Sequence, residues 1–451
     1  MKQTKRFLGL IAAVLFTMSA WAQTMTFTYA GGATANASQM ADGSWLMQLP
    51  AGTDLNAAIT GVKVNGATVT AASVVPNPTE TFITEGEIET FVYNGKAYSF
   101  RFLAGGYFTA VMFSDPHVAQ DNYEGTSVAN MQEFVAEILK LGKEGGKTVT
   151  FAEAPVGYVP TADIVFCMGD MDQDSERSGT DFTNAMAGFN TAKVPFITIA
   201  GNHDLVPDHW HDSDNDPALN SSGRSANTTA LSLIKNQYGK AAGFGDFTVE
   251  TITDGNLSNV VHPGHFTFKY RGVRFYCANN YWFQKPYHSR QRTYYAADGT
   301  INALNSYVEE HADEASVWIS HFPFYSEAND YNDAYERWWL DQNNAPHEVC
   351  IMPTDAASSE YYNGGVNVGY TSADGQALVA KKQKALADII VKSKNPHHFS
   401  GHSHRDDGAD VTATNGKVFR DHTIQPAFYR WAFVVLCKEG EGAIAVQRVQ
   451  F

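Results

Sequence analysis

A chain of 451 residues, 44% hydrophobic and 18% charged, holds enough apolar material for two or three domains with buried cores, which excludes a disordered or fibrous polymer. The formal charge is −16, and more negative still without the cations Lys2, Lys5 and Arg6 near the start, so broad binding to nucleic acid or anionic membrane is not expected. An anionic small molecule remains admissible where a local cation such as a metal ion reverses the field.

Those three cations precede an apolar run over residues 7–16 and the tripeptide Ala20-Trp21-Ala22, the pattern of an export signal cleaved before Gln23. The run is about 10 residues, short of the ~20 that cross a bilayer. No later segment is apolar enough to span, and no Cys follows the cleavage point to carry a lipid. The expectation is a signal peptide over 1–22 and an exported protein, periplasmic or secreted. Four Cys are too few for a disulfide framework. Cys167, Cys277 and Cys437 fall in apolar strand-like runs and read as buried thiols, whereas Cys350 lies in a loop-like stretch where it could pair with one of them.

Residues 23–104 alternate short apolar runs with turns, and Asn65-Gly66 and Asn94-Gly95 are hairpin pairs. This reads as a small N-terminal β-sandwich. From Tyr107 the texture changes to strands alternating with helical periods. Residues 108–114, 163–168, 196–200, 317–320 and 397–400 read as buried strands. Val128, Met131, Val135, Ile138 and Leu139 recur at helical spacing, and further helices are expected over 181–191, 301–312 and 376–393. Polar stretches over about 205–263 and 322–371 read as loop insertions. The alternation implies an α/β layered domain over 105–451, with ligands held at the carboxyl ends of its strands.

Five polar clusters follow those strands: Asp115-Pro116-His117, Gly169-Asp170, Gly201-Asn202-His203-Asp204, His321 and Gly401-His402-Ser403-His404. A single D-x-H is expected by chance in a chain of this composition, but G-N-H-D and G-H-x-H are each expected far less than once. The set offers carboxylate, amide and imidazole donors and no thiolate, which suits Zn, Mn, Fe or Ni. Seven candidate ligands exceed what one tetrahedral ion uses, whereas two ions sharing a carboxylate would use them all.

With these five blocks in this order, the chain resembles the calcineurin-like metallophosphoesterase superfamily over about residues 107–451. The resemblance implies a four-layer α/β/β/α sandwich. It also implies two divalent metal ions, the first held by Asp115, His117, Asp170 and His404, the second by Asp170 as the bridge with Asn202, His321 and His402. His203 would face the scissile phosphate, oriented by Asp204. The implied reaction is hydrolysis of a small phosphate ester by a hydroxide held between the ions, with His203 assisting the leaving group. The purple acid phosphatases of this superfamily also carry a β-sandwich before the catalytic domain, but Gln173 stands here where their tyrosine ligand would be. A phosphodiesterase or pyrophosphatase acting on nucleotide or lipid head-group substrates, and a non-catalytic surface protein that binds through the β-sandwich, are the rival readings. Nothing in the sequence specifies an oligomeric state.

Around this set, His397 and His398 read as strand packing or surface, and His209 and His211 as a solvated Asp-rich loop. Aromatic stretches over 279–290 and 335–339 divide evenly between a substrate wall and loop packing.

Overall fold

The computed structural model describes residues 24–29, 34–40, 43–48, 59–69, 88–103, 105–118, 125–155, 158–171, 180–199, 201, 204, 248–252, 265–278, 298–321, 323–324, 360–363, 366–369 and 385–451. The chain divides into two compact units, Met1–Ala104 with Pro155–Tyr158, and Gly105–Ala154 with Val159–Phe451. The expected signal segment, Cys350, His209, His211 and both aromatic stretches lie outside the described residues.

The first unit is one seven-stranded sheet in the order β5-β4-β1-β2-β3-β7-β6. Its strands are β1 (Met25–Tyr29), β2 (Thr34–Gln39), β3 (Trp45–Gln48), β4 (Ile59–Val64), β5 (Ala67–Thr68), β6 (Glu89–Tyr93) and β7 (Lys96–Leu103). The two Asn-Gly pairs join β4 to β5 and β6 to β7. Both residues of each pair have positive φ, 51° and 78° at Asn65-Gly66 and 51° and 75° at Asn94-Gly95, as a type I′ hairpin turn requires. Alternate residues turn Met25, Phe27, Val62, Val64, Phe91, Phe100 and Phe102 into one apolar cluster. Phe27 of β1 lies 5.5 Å from the ring of Phe100 and 4.9 Å from that of Phe102, both on β7. At about 4.8 Å per strand, three steps along a flat sheet would separate β1 from β7 by roughly 14 Å. The sheet therefore curls until β1 faces β7, and the curl encloses the core.

The second unit is mixed α/β, with several sheets and few helices. Its first sheet runs β10-β9-β8-β20-β21. Here β8 (Tyr107–Phe113), β9 (Ile164–Cys167) and β10 (Phe196–Thr198) are parallel, and β20 (Trp431–Lys438) and β21 (Gly442–Gln450) close it antiparallel. The second runs β11-β12-β13-β14-β17-β19-β18. Its members are β11 (Glu250–Ile252), β12 (His265–Tyr270), β13 (Val273–Cys277), β14 (Ala315–Ile319), β17 (Lys394–Ser400), β18 (Asp407–Thr412) and β19 (Val418–Thr423), and β13, β14, β17 and β19 pair in parallel. A separate hairpin joins β15 (Glu360–Asn363) to β16 (Val366–Gly369). The polar stretches expected as loops thus contain strands β11, β15 and β16; they are short, and the alternation needed to read a strand was lost among polar residues.

Helix α1 (Val128–Leu139) starts at Ser127, whose hydroxyl accepts the Asn130 N–H at 3.2 Å, and buries Met131, Phe134, Val135 and Ile138 at helical spacing. Helix α2 (Thr180–Ala192) buries Phe182, Ala185, Met186 and Phe189. Phe134 packs on Phe113 of β8 at 5.5 Å, and Phe189 on Phe196 of β10 at 5.1 Å, which sets both helices against the first sheet. Phe166 of β9 stacks on Phe275 of β13 at 5.1 Å and on Phe268 of β12 at 6.0 Å, so the two sheets meet through aromatic faces. Helix α3 (Asp298–Glu310) brings Tyr307 to Tyr276 of β13 at 6.4 Å. Of the helix expected over 376–393, the described part is helical over 385–390. Cys167, Cys277 and Cys437 are buried free thiols, and burial raises the pKa of each. Among the described residues, no helix is long and apolar enough to cross a membrane.

Candidate metal centre

The parallel strands of both sheets deliver their polar clusters to one place. Asp115 and His117 leave β8, Asp170 leaves β9, Gly201 and Asp204 leave β10, His321 leaves β14, and His402 and His404 leave β17. Asn202 and His203 lie outside the described residues. Asp115, His117, Asp170, Asp204, His321 and His402 are all buried, and His404 is partly exposed.

The backbone is bent hard to achieve this. Asp115 (φ 54°), His117 (39°), Asp170 (52°), His402 (64°) and His404 (55°) occupy the left-handed region, which costs a side-chain-bearing residue roughly 1–2 kcal/mol. Hydrogen bonds between neighbouring loops hold them there. Asp115 N–H donates to Gly169 O at 3.1 Å, His117 N–H to Asp170 O at 3.1 Å, and Gly401 N–H to His321 O at 3.1 Å. His402 N–H donates to Asp115 Oδ2 at 3.0 Å, joining the first cluster to the last across 287 residues. Gly169 allows the close approach. Its φ is 101°, and a Cβ there would stand 2.6 Å from Gly201 N and 2.7 Å from His321 Nδ1. At Gly401 a Cβ would collide with Ser114 Oγ and Asp115 Oδ2.

Two groups of donors result: Asp115, His117 and His404, and Asp170, His321 and His402, with the donor atoms of each group within 4.8 Å of one another. Asp115 Oδ1 lies 3.4 Å from His404 Nε2, and Asp170 Oδ2 lies 3.1 Å from His321 Nε2. Two donors bound to one ion at about 2.0–2.2 Å stand roughly 3–3.5 Å apart when they subtend near-tetrahedral or right angles, so these spacings fit a metal. Asp170 Oδ2 is also 3.9 Å from His117 Nε2, and Asp115 Oδ1 is 4.0 Å from His321 Nε2, so the carboxylate of each group also faces the other group. The donors are all oxygen and imidazole nitrogen, suited to borderline or hard dications.

The electrostatics of the protein alone call for positive charge. Burial pushes Asp115 upward, yet its hydrogen bond with His404 and the charges of His321 and His404 outweigh that and hold it at about 2. Burial lowers His321, but the Asp170 carboxylate beside it, with Asp115 behind, lifts it to about 9. A proton on His321 thus supplies part of the charge that a dication would supply. Burial and the charge of Asp170 raise Asp204 to about 7, against the backbone donors that face it.

Asp204 spans two loops: Oδ1 accepts Met171 N–H at 2.9 Å and Oδ2 accepts Gly201 N–H at 2.8 Å. Its carboxylate ties the end of β9 to the end of β10, a positioning task in addition to the one expected from its place beside His203.

Behind the donors stand residues that fix them. His321 Nδ1–H donates to Met168 O at 2.8 Å, which turns Nε2 toward the carboxylates, and Ser114 Oγ–H donates to the same carbonyl at 3.1 Å. Deeper still, Ser320 Oγ lies 2.6 Å from His398 Nε2, His398 Nδ1 lies 2.6 Å from Asp421 Oδ1, and Asp421 Oδ2 accepts Phe324 N–H at 2.8 Å. Ser320, His398 and Asp421 are wholly buried, so this array holds the segment that carries His321. Strand packing is the setting foreseen for His398, but not its link to His321. The partners lie 78 and 23 residues away in sequence, and only the parallel pairing of β14, β17 and β19 brings them together. His397 pairs with His422, Nδ1 to Nε2 at 3.0 Å. Phe428 was also missed: its ring lies 5.8 Å from that of His117 and 5.4 Å from that of His404.

A family model described as "Calcineurin-like phosphoesterase" matches residues 108–406, from the start of β8 to just past His404. A solved structure titled "Structure of PhoD" aligns over 86% of this chain and 79% of that chain, at 9% identity and a TM-score of 0.34, a likeness too loose to carry an argument. No curated protein matches the sequence. The matched span is well over half of the 451 residues and holds every donor of both groups. The chain belongs to the calcineurin-like phosphoesterase family.

Proposed function

We propose that this chain is an exported phosphoesterase with two divalent ions, acting on small phosphate esters. The observation that carries the reading is the position of Asp170, a member of one group of three donors, 3.1 Å from His321 Nε2 within that group and 3.9 Å from His117 Nε2 of the other. Asp115, His117 and His404 would hold one ion and His321, His402 and Asn202 the other, with Asp170 shared. Zn, Mn, Fe and Ni all fit this donor set. Bound, the pair supplies Lewis acidity toward the phosphoryl oxygens and activates water at neutral pH. Asp115 and Asp170 would neutralise the pair in part and leave net positive charge for a phosphate. Met168 O fixes the His321 tautomer so that Nε2 faces inward. Asp204 sets the loop from which His203 would reach the departing oxygen and protonate it.

The α1 and α2 contacts to the first sheet, the aromatic contact between sheets and the α3 contact to the second support the four-layer α/β/β/α arrangement for this unit. The curled sheet is read as an N-terminal β-sandwich domain over 23–104, and residues 1–22 as a cleaved signal leading to the periplasm or the exterior.

The test is a panel of phosphomonoesters, diesters and nucleotides assayed with each added metal, on wild type and His203→Ala. The variant should keep its metals and lose turnover by about 10²–10⁴-fold, most for alkyl esters, whose leaving oxygen needs a proton, and least for nitrophenyl esters. No hydrolysis of any ester by a metal-loaded wild type would overturn the reading. Full activity in the variant would remove His203 from it.

A further inference from the structure

We propose that Phe428 and Tyr429 form an aromatic platform that receives the organic group of the substrate, which makes aryl or heteroaryl phosphoesters the substrate class. The proposal rests on the phosphoesterase reading above for the phosphate end of the ligand and adds the site for the other end.

The platform is built outward from the donors. Phe428, half-buried, stands edge-on to His404 at 5.4 Å and tilted against His117 at 5.8 Å. Tyr429 meets Phe428 nearly edge-to-face at 4.6 Å and is 54% exposed. A single exposed aromatic on a protein surface is ordinary. This one continues, ring by ring, from two imidazoles of one donor group to the solvent. An ester with its phosphate at the donors and its organic group directed this way would meet aromatic surface one linkage out.

The backbone that carries the rings is also pinned, so ring stacking needs little ordering of the main chain. It sits on a 3₁₀ turn, Ala427–Tyr429, that ends in Arg430 at φ 68°. Ala427 N–H donates to Ser114 O at 2.7 Å, next to Asp115 itself, and Phe451 N–H donates to Arg430 O at 2.8 Å. Gln450 Nε2–H donates to Tyr429 O at 3.2 Å. The turn is therefore pinned to the end of β8 on one side and to the closing strand on the other.

The cation on the turn itself is already paired. The cation nearest the platform in sequence is Arg430, and its guanidinium faces Glu137 at 3.1 Å and Glu133 at 3.9 Å. Two carboxylates beside that guanidinium make the turn a poor seat for another anion. A neutral ring suits it, and its aromatic faces have a use for one.

The test uses the metal-loaded full-length protein and two ligands that cannot be hydrolysed, phenylphosphonate and methylphosphonate, with affinities from calorimetry. Stacking on an exposed aromatic is worth about 10-fold in affinity. Wild type should favour the phenyl ligand by about that factor, and Tyr429→Ala and Phe428→Leu should each bring the ratio toward 1. Tyr429→Ala tests the idea even if Phe428→Leu disturbs the neighbouring imidazoles. Equal affinities in wild type, a ratio unchanged in Tyr429→Ala, or failure of wild type to bind either ligand would overturn the platform. Turnover separates the two proposals. Hydrolysis of glycerol phosphate with no phenyl preference in binding would sink the platform and leave the phosphoesterase standing. Tyr429-dependent phenylphosphonate binding without hydrolysis of any ester would do the reverse.

Discussion

The core of the N-terminal sheet and the strand ends of the second unit are buried to a similar degree by opposite means. In the first, Met25, Phe27, Phe91, Phe100 and Phe102 leave water because their faces are apolar, and the sheet curls to let them meet. In the second, Asp115, His117, Asp170 and His321 are just as inaccessible, and four of the five left-handed donor-loop residues there carry a charge or an imidazole into the interior together with strain. Apolar burial stabilises without further help at about 25 cal/mol per Å². Burial of carboxylates costs free energy unless a counter-charge is supplied. The first region is built to be stable and the second to need a counter-charge, and the donor spacing within each group fits a metal ion.

The largest effect that would sharpen this contrast is on the apolar side. Phe27→Ala should cost the first unit about 3–5 kcal/mol in denaturant unfolding while metal content stays unchanged. Loss of metal together with stability would break the division between the regions.

The polar side should respond to pH in a way the apolar side cannot. In the metal-free protein, burial and Asp170 raise Asp204 to about 7, and Asp170 lifts His321 to about 9 against the effect of burial. A raised histidine contributes stability that is present below about 6.5 and lost as pH rises through about 9. A raised carboxyl is best tolerated while protonated, so its ionisation between about 4 and 7 also removes stability. Both act in the same direction. Metal-free protein should be less stable at pH 9 than at pH 6, by on the order of 3 kcal/mol, and metal loading should flatten the profile. Thermal melts of both forms across this range check it; stability rising with pH in the metal-free form would contradict the assignment.

A smaller effect tests the buried array behind His321. Asp421→Asn would set an amide donor against either His398 Nδ1–H or Phe324 N–H, and so loosen the segment carrying His321. Supporting residues of this kind are typically worth 10–100-fold in metal affinity. Competition with a chelator should show one ion weakened by about that factor and the other little changed. Equal weakening of both would assign Asp421 a general structural role instead.

What the sequence disclosed follows from how local each feature is. The Asn-Gly turns, the amphipathic face of α1 and the apolar strands preceding each polar cluster are written within a few residues, and the structure places them within one to three residues of expectation. The position of the polar clusters at strand ends was legible for the same reason, since each cluster directly follows its strand. The curl of the first sheet was not, because it depends on β1 meeting β7 about 75 residues later. The role of His398 is set by Ser320 and Asp421, on two neighbouring strands distant in the chain. Phe428 carries no motif at all; its place beside His117 and His404 is set by the turn that bears it.

The central claim is that Asp170 is shared by two ions, and metal stoichiometry tests it most directly. Elemental analysis of wild type after reconstitution with Zn or Mn should find about two ions per chain, and Asp170→Ala should find neither while remaining folded. Fewer than one ion in wild type, or one ion retained at full affinity in Asp170→Ala, would contradict it.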